Sequence, residues 1–241
     1  MRSPFSFLNT SKSPWRRPAK RRELDPDRLW LDGTTQCYLE LEDDGYIVTG
    51  DDERLSVYRG PDILLRTELV KLGDRTDEGM LVKSPRVPWF EIVTQMRRNP
   101  RFRFYFARAP RKFEEFLAGS YWHWGWDEVI LTPRSADRGR DVIASTTGMN
   151  PRRILEQAKA YSQNRRVNHD EVRAILGTRS LDRRATECGI TTTSDFAPMI
   201  RSGTEFVEVI PSILKLTSGQ ELVDRVTGTP FSDTIRRERG R

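Results

Sequence analysis

Apolar and polar positions along residues 24–85 alternate in short runs that predict a strand-rich segment. Residues Gln36–Leu41 and Tyr46–Val48 flank the turn-like stretch Asp43-Asp44-Gly45, which predicts a β-hairpin. Further apolar segments follow at Leu55–Tyr58 and Ile63–Val70, between Gly-Pro and Gly-Asp breaks. The segment then gives way to an amphipathic helix predicted over Trp89–Arg98.

From Pro110 onward the pattern changes to alternating helices and strands. Phe113, Phe116 and Leu117 recur at helical spacing and predict a helix over Arg111–Tyr121. The later helices are predicted at Asp170–Leu176, with Asn168 as its cap, at a short segment beginning at Ser194, and at Gln220–Val226. The strands are predicted at Asp127–Leu131, Asp141–Ala144, Ile154–Ala158, Gly189–Thr193, Phe206–Ile210 and Ile213–Leu216.

This order of elements predicts an α/β fold in which helices flank a mixed β-sheet. We divide the 241 residues into a disordered basic arm at 1–22, a small strand-rich module at 23–105, an α/β domain at 106–230 and a basic tail at 231–241.

Charge is distributed unevenly along the chain. Residues 1–22 carry seven Lys or Arg and no acid, residues 23–90 carry 16 acids against 8 bases, and residues 134–184 carry 12 bases against 6 acids. The arm and the 134–184 segment should therefore attract a polyanion, whereas the acidic middle should repel one. We interpret the acidic module as a regulatory or protein-contact module. The composition of the arm also suits an organelle transit peptide.

Several classes of protein are excluded by composition. No window approaches the ~18 uninterrupted apolar residues of a membrane helix, which argues against a membrane protein. Cys37 and Cys188 are the only cysteines and lie far apart, so neither a disulfide framework nor a cysteine zinc site is expected. A reducing cytoplasm is the simpler setting.

The candidate chemistry lies at two predicted strands of the second half. Gln157 and Lys159 are two positions apart and would share one face of a strand, while Glu156 and Ala158 face away. If this strand neighbours the one that begins at Asp141, the carboxylate, the amide oxygen and the ammonium converge. Two oxygens can hold a Mg²⁺ ion, and a lysine beside it can stabilise negative charge on a phosphate. On spacing alone, this pattern is a weak signal.

The same stretch resembles the Mrr-type restriction endonuclease domain of the PD-(D/E)xK nuclease superfamily. The likeness covers roughly residues 110–226, and it rests on the motifs KFEEFLA at 112–118, GW at 125–126, VILTP at 129–133, DRGRDVIA at 137–144, QAKAY at 157–161 and GITTT at 189–193. It implies a restriction-endonuclease-like mixed sheet flanked by helices and metal-dependent endonuclease cleavage of DNA, as in type IV, Mrr-like restriction or phage-defence enzymes. It also implies Mg²⁺ as cofactor, with Mn²⁺ as a substitute, and a homodimer.

The resemblance also assigns roles to single residues. Asp141 matches the metal-binding aspartate, and Lys159 matches the catalytic lysine. Gln157 stands where other superfamily members carry Glu, a departure that removes one negative charge but resembles the Mrr subgroup. Glu114 matches a helix glutamate that supports the metal site. The implied catalytic set is Glu114, Asp141, Gln157 and Lys159, of which Glu114, Asp141 and Gln157 are the metal ligands.

Two arginine pairs flank the predicted catalytic strand and are candidate DNA-phosphate contacts. They are Arg152 with Arg153 and Arg165 with Arg166. The Gln157 departure leaves an alternative open, a DNA-binding or scaffold protein that keeps the nuclease fold without cleavage.

Two further stretches have both a structural and a functional interpretation. The aromatic run around His123 could stack bases, but packing between helix and sheet is the favoured interpretation. The hydroxyls of residues 191–194 could bind a phosphate, and a plain helix cap at Ser194 explains that residue equally well.

Overall fold

The computed structural model describes the backbone of four strands between residues 29 and 59, and the backbone and side chains of residues 64–134 and 139–228. The predicted arm at 1–22, the tail at 231–241 and the hairpin residues Asp43 and Asp44 lie outside the described residues. The chain divides into two compact units, Met1–Gly60 and Pro61–Arg241.

The first unit contains an antiparallel sheet in the order β1-β2-β3-β4. Its strands are Leu29–Trp30, Gln36–Glu42, Gly45–Gly50 and Ser56–Arg59. The predicted hairpin is confirmed, because β2 and β3 pair antiparallel with Glu42 opposite Gly45.

The second unit is built on a seven-stranded sheet in the order β13-β11-β9-β8-β7-β6-β5. Its strands are β5 at Val70–Thr76, β6 at Gly79–Pro85, β7 at Glu128–Leu131, β8 at Val142–Thr146, β9 at Arg152–Lys159, β11 at Glu187–Thr192 and β13 at Leu214–Thr217. Neighbours from β5 to β9 run antiparallel, whereas β9, β11 and β13 run parallel. The predicted mixed sheet is therefore confirmed. A separate parallel pair joins β10 at Arg166–Val167 to β12 at Asp195–Phe196.

Helices cover both faces of this sheet. They are α1 at Val87–Arg98, a 3₁₀ helix at Pro100–Arg108, α2 at Pro110–His123, α3 at His169–Leu181 and α4 at Gly219–Gly228. On α2, Tyr121 reaches Glu156 of β9. On α3, Val172 and Ile175 share a buried cluster with Leu155, the neighbour of Glu156. Because successive strand residues point to opposite faces, α2 and α3 lie on opposite sides of the sheet.

The capping signal of α3 is confirmed in full. The Asn168 side chain accepts a hydrogen bond from the Glu171 N–H, while the Glu171 carboxylate accepts one from the Asn168 N–H. This reciprocal pair fixes the start of α3.

Three predicted elements differ from the structure. Of Ile63–Val70, the described residues form a turn, and a strand starts only at Val70. Ser194 starts no helix, because Asp195 pairs with Arg166 in a short parallel ladder. Phe206–Ile210 is a run of turns in which the Ile210 N–H donates to the Phe206 carbonyl. A short apolar run has no decisive period, so the strand prediction failed there.

Residues 64–105, which we assigned by sequence to the N-terminal module, lie in the second unit instead. Strand β6 pairs with β7 through Met80 and Leu81, which extends the sheet. The buried indole of Trp89 donates to the carbonyl of Phe116 at 2.9 Å. A Cβ on Gly119 would lie only 2.7 Å from the Trp89 ring, so the close approach of α1 and α2 requires glycine there.

None of the helices among the described residues is both long and apolar enough to cross a membrane.

Candidate active site

The site is built where β8 begins and β9 ends. Val142 pairs with Glu156 in the antiparallel register, and one residue further along this register Asp141 lies opposite Gln157. The Asp141 N–H donates to the Glu156 carbonyl at 2.8 Å, and the Asp141 carboxylate accepts from the Ala158 N–H at 2.7 Å. The structure thus brings two of the predicted site residues together and fixes the carboxylate against the neighbouring strand.

Gln157 offers a second oxygen beside this carboxylate. Its Oε1 atom is buried and has no hydrogen-bond partner among the described residues. A buried acceptor without a donor is costly, so this atom suits a ligand that the described residues do not supply.

Lys159 lies two residues beyond Gln157 and shares its face of the sheet. Its Nζ is 3.3 Å from an oxygen of Glu171 on α3. The same Glu171 oxygen accepts a hydrogen bond from the Tyr161 hydroxyl. Burial raises the pKa of Glu171, but the hydrogen bonds from Tyr161 and Asn168 and the charge of Lys159 outweigh it, so this pKa lies below its ordinary value. The Glu171 carboxylate beside Lys159 is therefore ionised at neutral pH.

Glu114 joins the site from the other side of the sheet edge. It lies on α2, where Arg111 donates to it at 2.5 Å and also donates to the Thr132 carbonyl at 2.9 Å. The next residue, Glu115, accepts from Lys112 and from the Leu69 N–H, so it holds neighbouring backbone instead.

A pocket of about 520 Å³ connects Glu114 to Asp141. It is lined by Leu65, Ala109, Pro110, Arg111, Lys112, Glu114, Pro133, Arg134 and Asp141. The pocket therefore combines two carboxylates with three cations, which suits a phosphate held near a divalent ion. Gln157 and Lys159 do not line it.

The resemblance implies a divalent metal ion held by Glu114, Asp141 and Gln157. Within the described residues, no group of three His, Cys, Asp or Glu side chains is close enough to hold a metal ion. Asp141 and the unpartnered amide oxygen of Gln157 nevertheless supply two hard oxygens across one strand pair. Mg²⁺ usually binds through one or two protein oxygens and keeps several waters, so this pair fits it.

Glu156 is a buried acid that sequence reasoning placed facing away from the site, and the structure agrees. It is 1% exposed and accepts from the Tyr121 hydroxyl at 2.7 Å. Burial raises the pKa of Glu156 to about 7. A Cβ on Gly189 would lie 2.1 Å from Glu156 Oε2, so glycine makes room for this carboxyl on the neighbouring strand.

One of the two arginine pairs does not lie at the site. Arg152 and Arg153 are at the start of β9, roughly 20 Å from Lys159 at its end. Arg152 forms two hydrogen bonds to Glu187, at 2.5 and 2.9 Å. Arg153 is only 8% exposed and its guanidinium binds Glu78 at 2.7 Å, so it cannot reach a DNA phosphate. The phosphate-contact prediction for Arg153 is therefore wrong.

The other pair, Arg165 and Arg166, is exposed and lies just beyond the end of β9. The Arg165 guanidinium lies 3.9 Å from the centroid of the Tyr161 ring and donates to its hydroxyl at 3.1 Å. Tyr161 in turn binds Glu171, so Arg165 is linked to Lys159 through two side chains.

The hydroxyls of residues 191–194 serve the fold rather than a phosphate. Thr192 donates to the Lys159 carbonyl at 2.9 Å, and Thr193 donates to the Tyr161 carbonyl at 2.6 Å. These bonds fix the end of β9. The packing interpretation of His123 also agrees with the structure, since its ring is buried 5.1 Å from that of Trp89.

Sequence reasoning missed Glu171 and Tyr161. A signal for Glu171 was present, because an Asn followed three residues later by Glu is a capping-box pattern that places the carboxylate at a helix start. Nothing in the sequence indicated that this helix start would lie beside Lys159.

Residues 107–226 match the family model described as restriction endonuclease, of the Mrr catalytic type. Similar solved structures include the modification-dependent restriction endonuclease AspBHI, with 19% identity, a TM-score of 0.41, and coverage of 79% of this chain and 46% of that one. The MspJI restriction endonuclease with a 27-mer oligonucleotide has 17% identity, a TM-score of 0.39, and coverage of 64% and 34%. The restriction endonuclease FokI has 12% identity, a TM-score of 0.41, and coverage of 84% and 38%.

This chain thus spans less than half the length of each of these structures. No curated protein sequence matches it.

Proposed function

Residues 107–226 are a restriction endonuclease domain of the Mrr type, and on that premise we propose that this protein is a divalent-metal-dependent endonuclease that hydrolyses DNA phosphodiester bonds. The observation that carries the proposal is the unpartnered, buried Gln157 oxygen opposite Asp141, with Lys159 on the same strand face. Phosphodiester hydrolysis of this kind needs two oxygens to hold an ion and a cation to stabilise charge on the phosphate. Asp141 and Gln157 offer the oxygens, and Lys159 offers the cation.

In this proposal Asp141 and Gln157 would hold the ion, Mg²⁺ or Mn²⁺, and Glu114 lines the same pocket as Asp141. A bound divalent ion lowers the pKa of a water and neutralises charge on a phosphate oxygen. The backbone N–H of Ala158 orients the Asp141 carboxylate. Lys159 stabilises negative charge that develops on the phosphate, and Glu171 fixes the direction of its ammonium.

DNA is held by contacts that carry no sequence information. Arg165 and Arg166 remain candidates, because both are exposed at the site end of β9. Arg153 is no longer a candidate for a phosphate contact, because it is buried and binds Glu78. We further propose a cytoplasmic role in phage defence, a homodimer, and a regulatory or protein-contact function for the acidic N-terminal sheet.

Plasmid cleavage tests the proposal. Wild-type protein incubated with plasmid and Mg²⁺ or Mn²⁺ should cut it, whereas Asp141→Asn and Lys159→Ala should not. Asp170→Asn, an exposed acid on α3 that binds Arg173, is the matched control and should cut normally. Parallel incubations with methylated and unmethylated plasmid reveal any need for base modification. Persistent cutting by the two site variants would refute the assignment of the site.

The second candidate function is a DNA-binding or scaffold protein that does not cleave. Gln157 in place of an acid favours it, because an amide binds a cation more weakly than a carboxylate does. The absence of cleavage of every plasmid form, with DNA binding retained, would support this candidate over the first.

A further inference from the structure

A second basic surface lies outside the segments in which sequence analysis found an excess of cations. Residues 92–113 contain no acid and seven cations, Arg97, Arg98, Arg101, Arg103, Arg108, Arg111 and Lys112. This stretch spans the end of α1, the 3₁₀ helix and the start of α2. Four of its arginines are exposed. Arg97 donates to the Thr227 carbonyl, and we call the other three, Arg98, Arg101 and Arg108, the arginine ridge.

The ridge keeps its positive charge. Among the described residues, none of its three arginines has an acidic side chain within ion-pair distance. Arg103 lies between them in the sequence, and its pKa is lowered first by burial and then by the charge of Arg101, against the opposing charge of Asp224. Unpaired exposed cations of one sign attract a polyanion.

The fold directs the ridge outward. Phe102 and Phe106 are 4% and 0% exposed and anchor the 3₁₀ helix in the core. Tyr105 is 36% exposed, and the Arg108 guanidinium lies 5.9 Å from its ring centroid. The buried aromatic residues hold the helix in place, so the cations between them stay at the surface.

The ridge is also attached to the catalytic end of the sheet. Arg103 Nε donates to the Thr193 carbonyl at 3.1 Å, and the Thr193 N–H donates to the Lys159 carbonyl at 3.1 Å. At its other end, the 3₁₀ helix leads into Ala109, which lines the pocket that contains Glu114 and Asp141. A polyanion bound on the ridge would therefore lie beside the site.

We propose that the arginine ridge binds the phosphate backbone of duplex DNA and holds it at the entrance of the pocket. This inference rests on the proposed function for its choice of polyanion. Arg101 and Arg108 are about 14 Å apart along a 3₁₀ helix with a rise of about 2 Å per residue. That distance spans about four nucleotides of one DNA strand. Arg98 and Arg101 precede residue 107, so residues just before the matched range 107–226 would help it to hold DNA.

The test measures binding of labelled duplex DNA by the full chain in EDTA at several salt concentrations. The double variant R101A/R108A should bind about tenfold more weakly at about 0.1 M salt, and its slope of log affinity against log salt should be shallower by about 1.8, or 0.9 for each lost contact. The variant R101K/R108K keeps both charges and should retain most of the slope. Arg183→Ala removes an exposed arginine at the far end of the sheet and should change neither quantity.

Unchanged affinity and slope in R101A/R108A would overturn the inference, as would an equal loss in Arg183→Ala. Tighter binding of duplex RNA than of duplex DNA by the ridge would overturn it as well. Cleavage with metal is measured separately. A wild type that cuts DNA while R101A/R108A binds normally refutes the ridge alone, and a wild type that binds through the ridge without cutting refutes the proposed endonuclease alone.

Discussion

The ammonium of Lys159 lies 3.3 Å from a carboxylate oxygen of Glu171, which joins the end of strand β9 to the first turn of helix α3. The same carboxylate accepts hydrogen bonds from the Tyr161 hydroxyl and the Asn168 N–H. Glu171 thus has three partners, of which one carries the proposed chemistry. This pair makes Glu171 a positioning residue for Lys159.

The first prediction concerns Glu171→Gln. Glutamine keeps an oxygen for Asn168 but removes the charge that orients Lys159, so the single-turnover cleavage rate should fall about tenfold. Because the pKa of Glu171 lies below its ordinary value, the ratio of the two cleavage rates should be constant above about pH 5. The ratio should shrink in acid, where protonation makes the wild-type side chain as uncharged as glutamine. Glu205→Gln, which removes an exposed partner of Arg173, is the control. Equal rates for Glu171→Gln and wild type would rule out the positioning role.

The second prediction assigns different roles to Arg152, at the start of β9, and Arg166, on β10. Arg152→Ala should leave DNA affinity unchanged but lower the free energy of unfolding by about 1–2 kcal/mol at pH 7, since it leaves buried Glu187 without its main partner. Arg166→Ala, at the site end, should lower DNA affinity and leave the free energy of unfolding unchanged. Burial raises the pKa of Glu187, but the hydrogen bond and charge of Arg152 and the charge of Lys215 outweigh it and lower the pKa.

The sign of the pH dependence follows from that lowered pKa. A carboxylate with a depressed pKa contributes stability above its unfolded value, and the contribution is lost as the pH falls through the folded pKa. The stability difference between wild type and Arg152→Ala should therefore be full above about pH 5 and diminish toward pH 3. Urea unfolding at several pH values measures it. A difference that grows in acid would contradict the assignment.

The sequence alone predicts those parts of the site whose residues lie on one strand or on two consecutive strands. Gln157 and Lys159 share a strand face because strands alternate, and Asp141 meets them because β8 and β9 are consecutive antiparallel neighbours. The roles of the arginines depended on distant segments. The partner that buries Arg153 is Glu78, 75 residues away, and no local pattern indicates such a pairing.

The N-terminal boundary failed for a related reason. Strand β5 carries exposed charged residues such as Lys71 and Asp74, so it lacks the apolar alternation that reveals a strand. Its place in the sheet depends on pairing with β6, which in turn pairs with β7. Long-range strand pairing is set by partners that a single segment does not contain.

The third prediction is that residues 61–241 fold as a unit and residues 106–241 do not. The shorter fragment lacks β5, β6 and α1, and it exposes the surface of Phe116 that stacks on Trp89 with ring centroids 5.6 Å apart. It also removes Glu78, which leaves Arg140 and Arg153 with Asp182 as their remaining acid in this cluster. Truncating a buried Trp alone costs about 3–5 kcal/mol, and this fragment loses more. Circular dichroism and cooperative thermal unfolding of both fragments measure the outcome, and a cooperative transition for 106–241 would restore the boundary after residue 105.

The last prediction concerns Gln157→Glu. The Gln157 oxygen is buried, unpartnered among the described residues and opposite Asp141, so a carboxylate there places two negative charges side by side. In EDTA this variant should be less stable than wild type, because like charges repel in a desolvated site. A divalent ion between them removes the repulsion and binds the folded state alone, so Mg²⁺ or Mn²⁺ should raise the unfolding temperature of the variant more than that of wild type. Asp141→Asn should lose the metal-induced rise, and Gln163→Glu, the same change at an exposed position, should behave as wild type. An equal rise in all four proteins would show that the ion binds elsewhere.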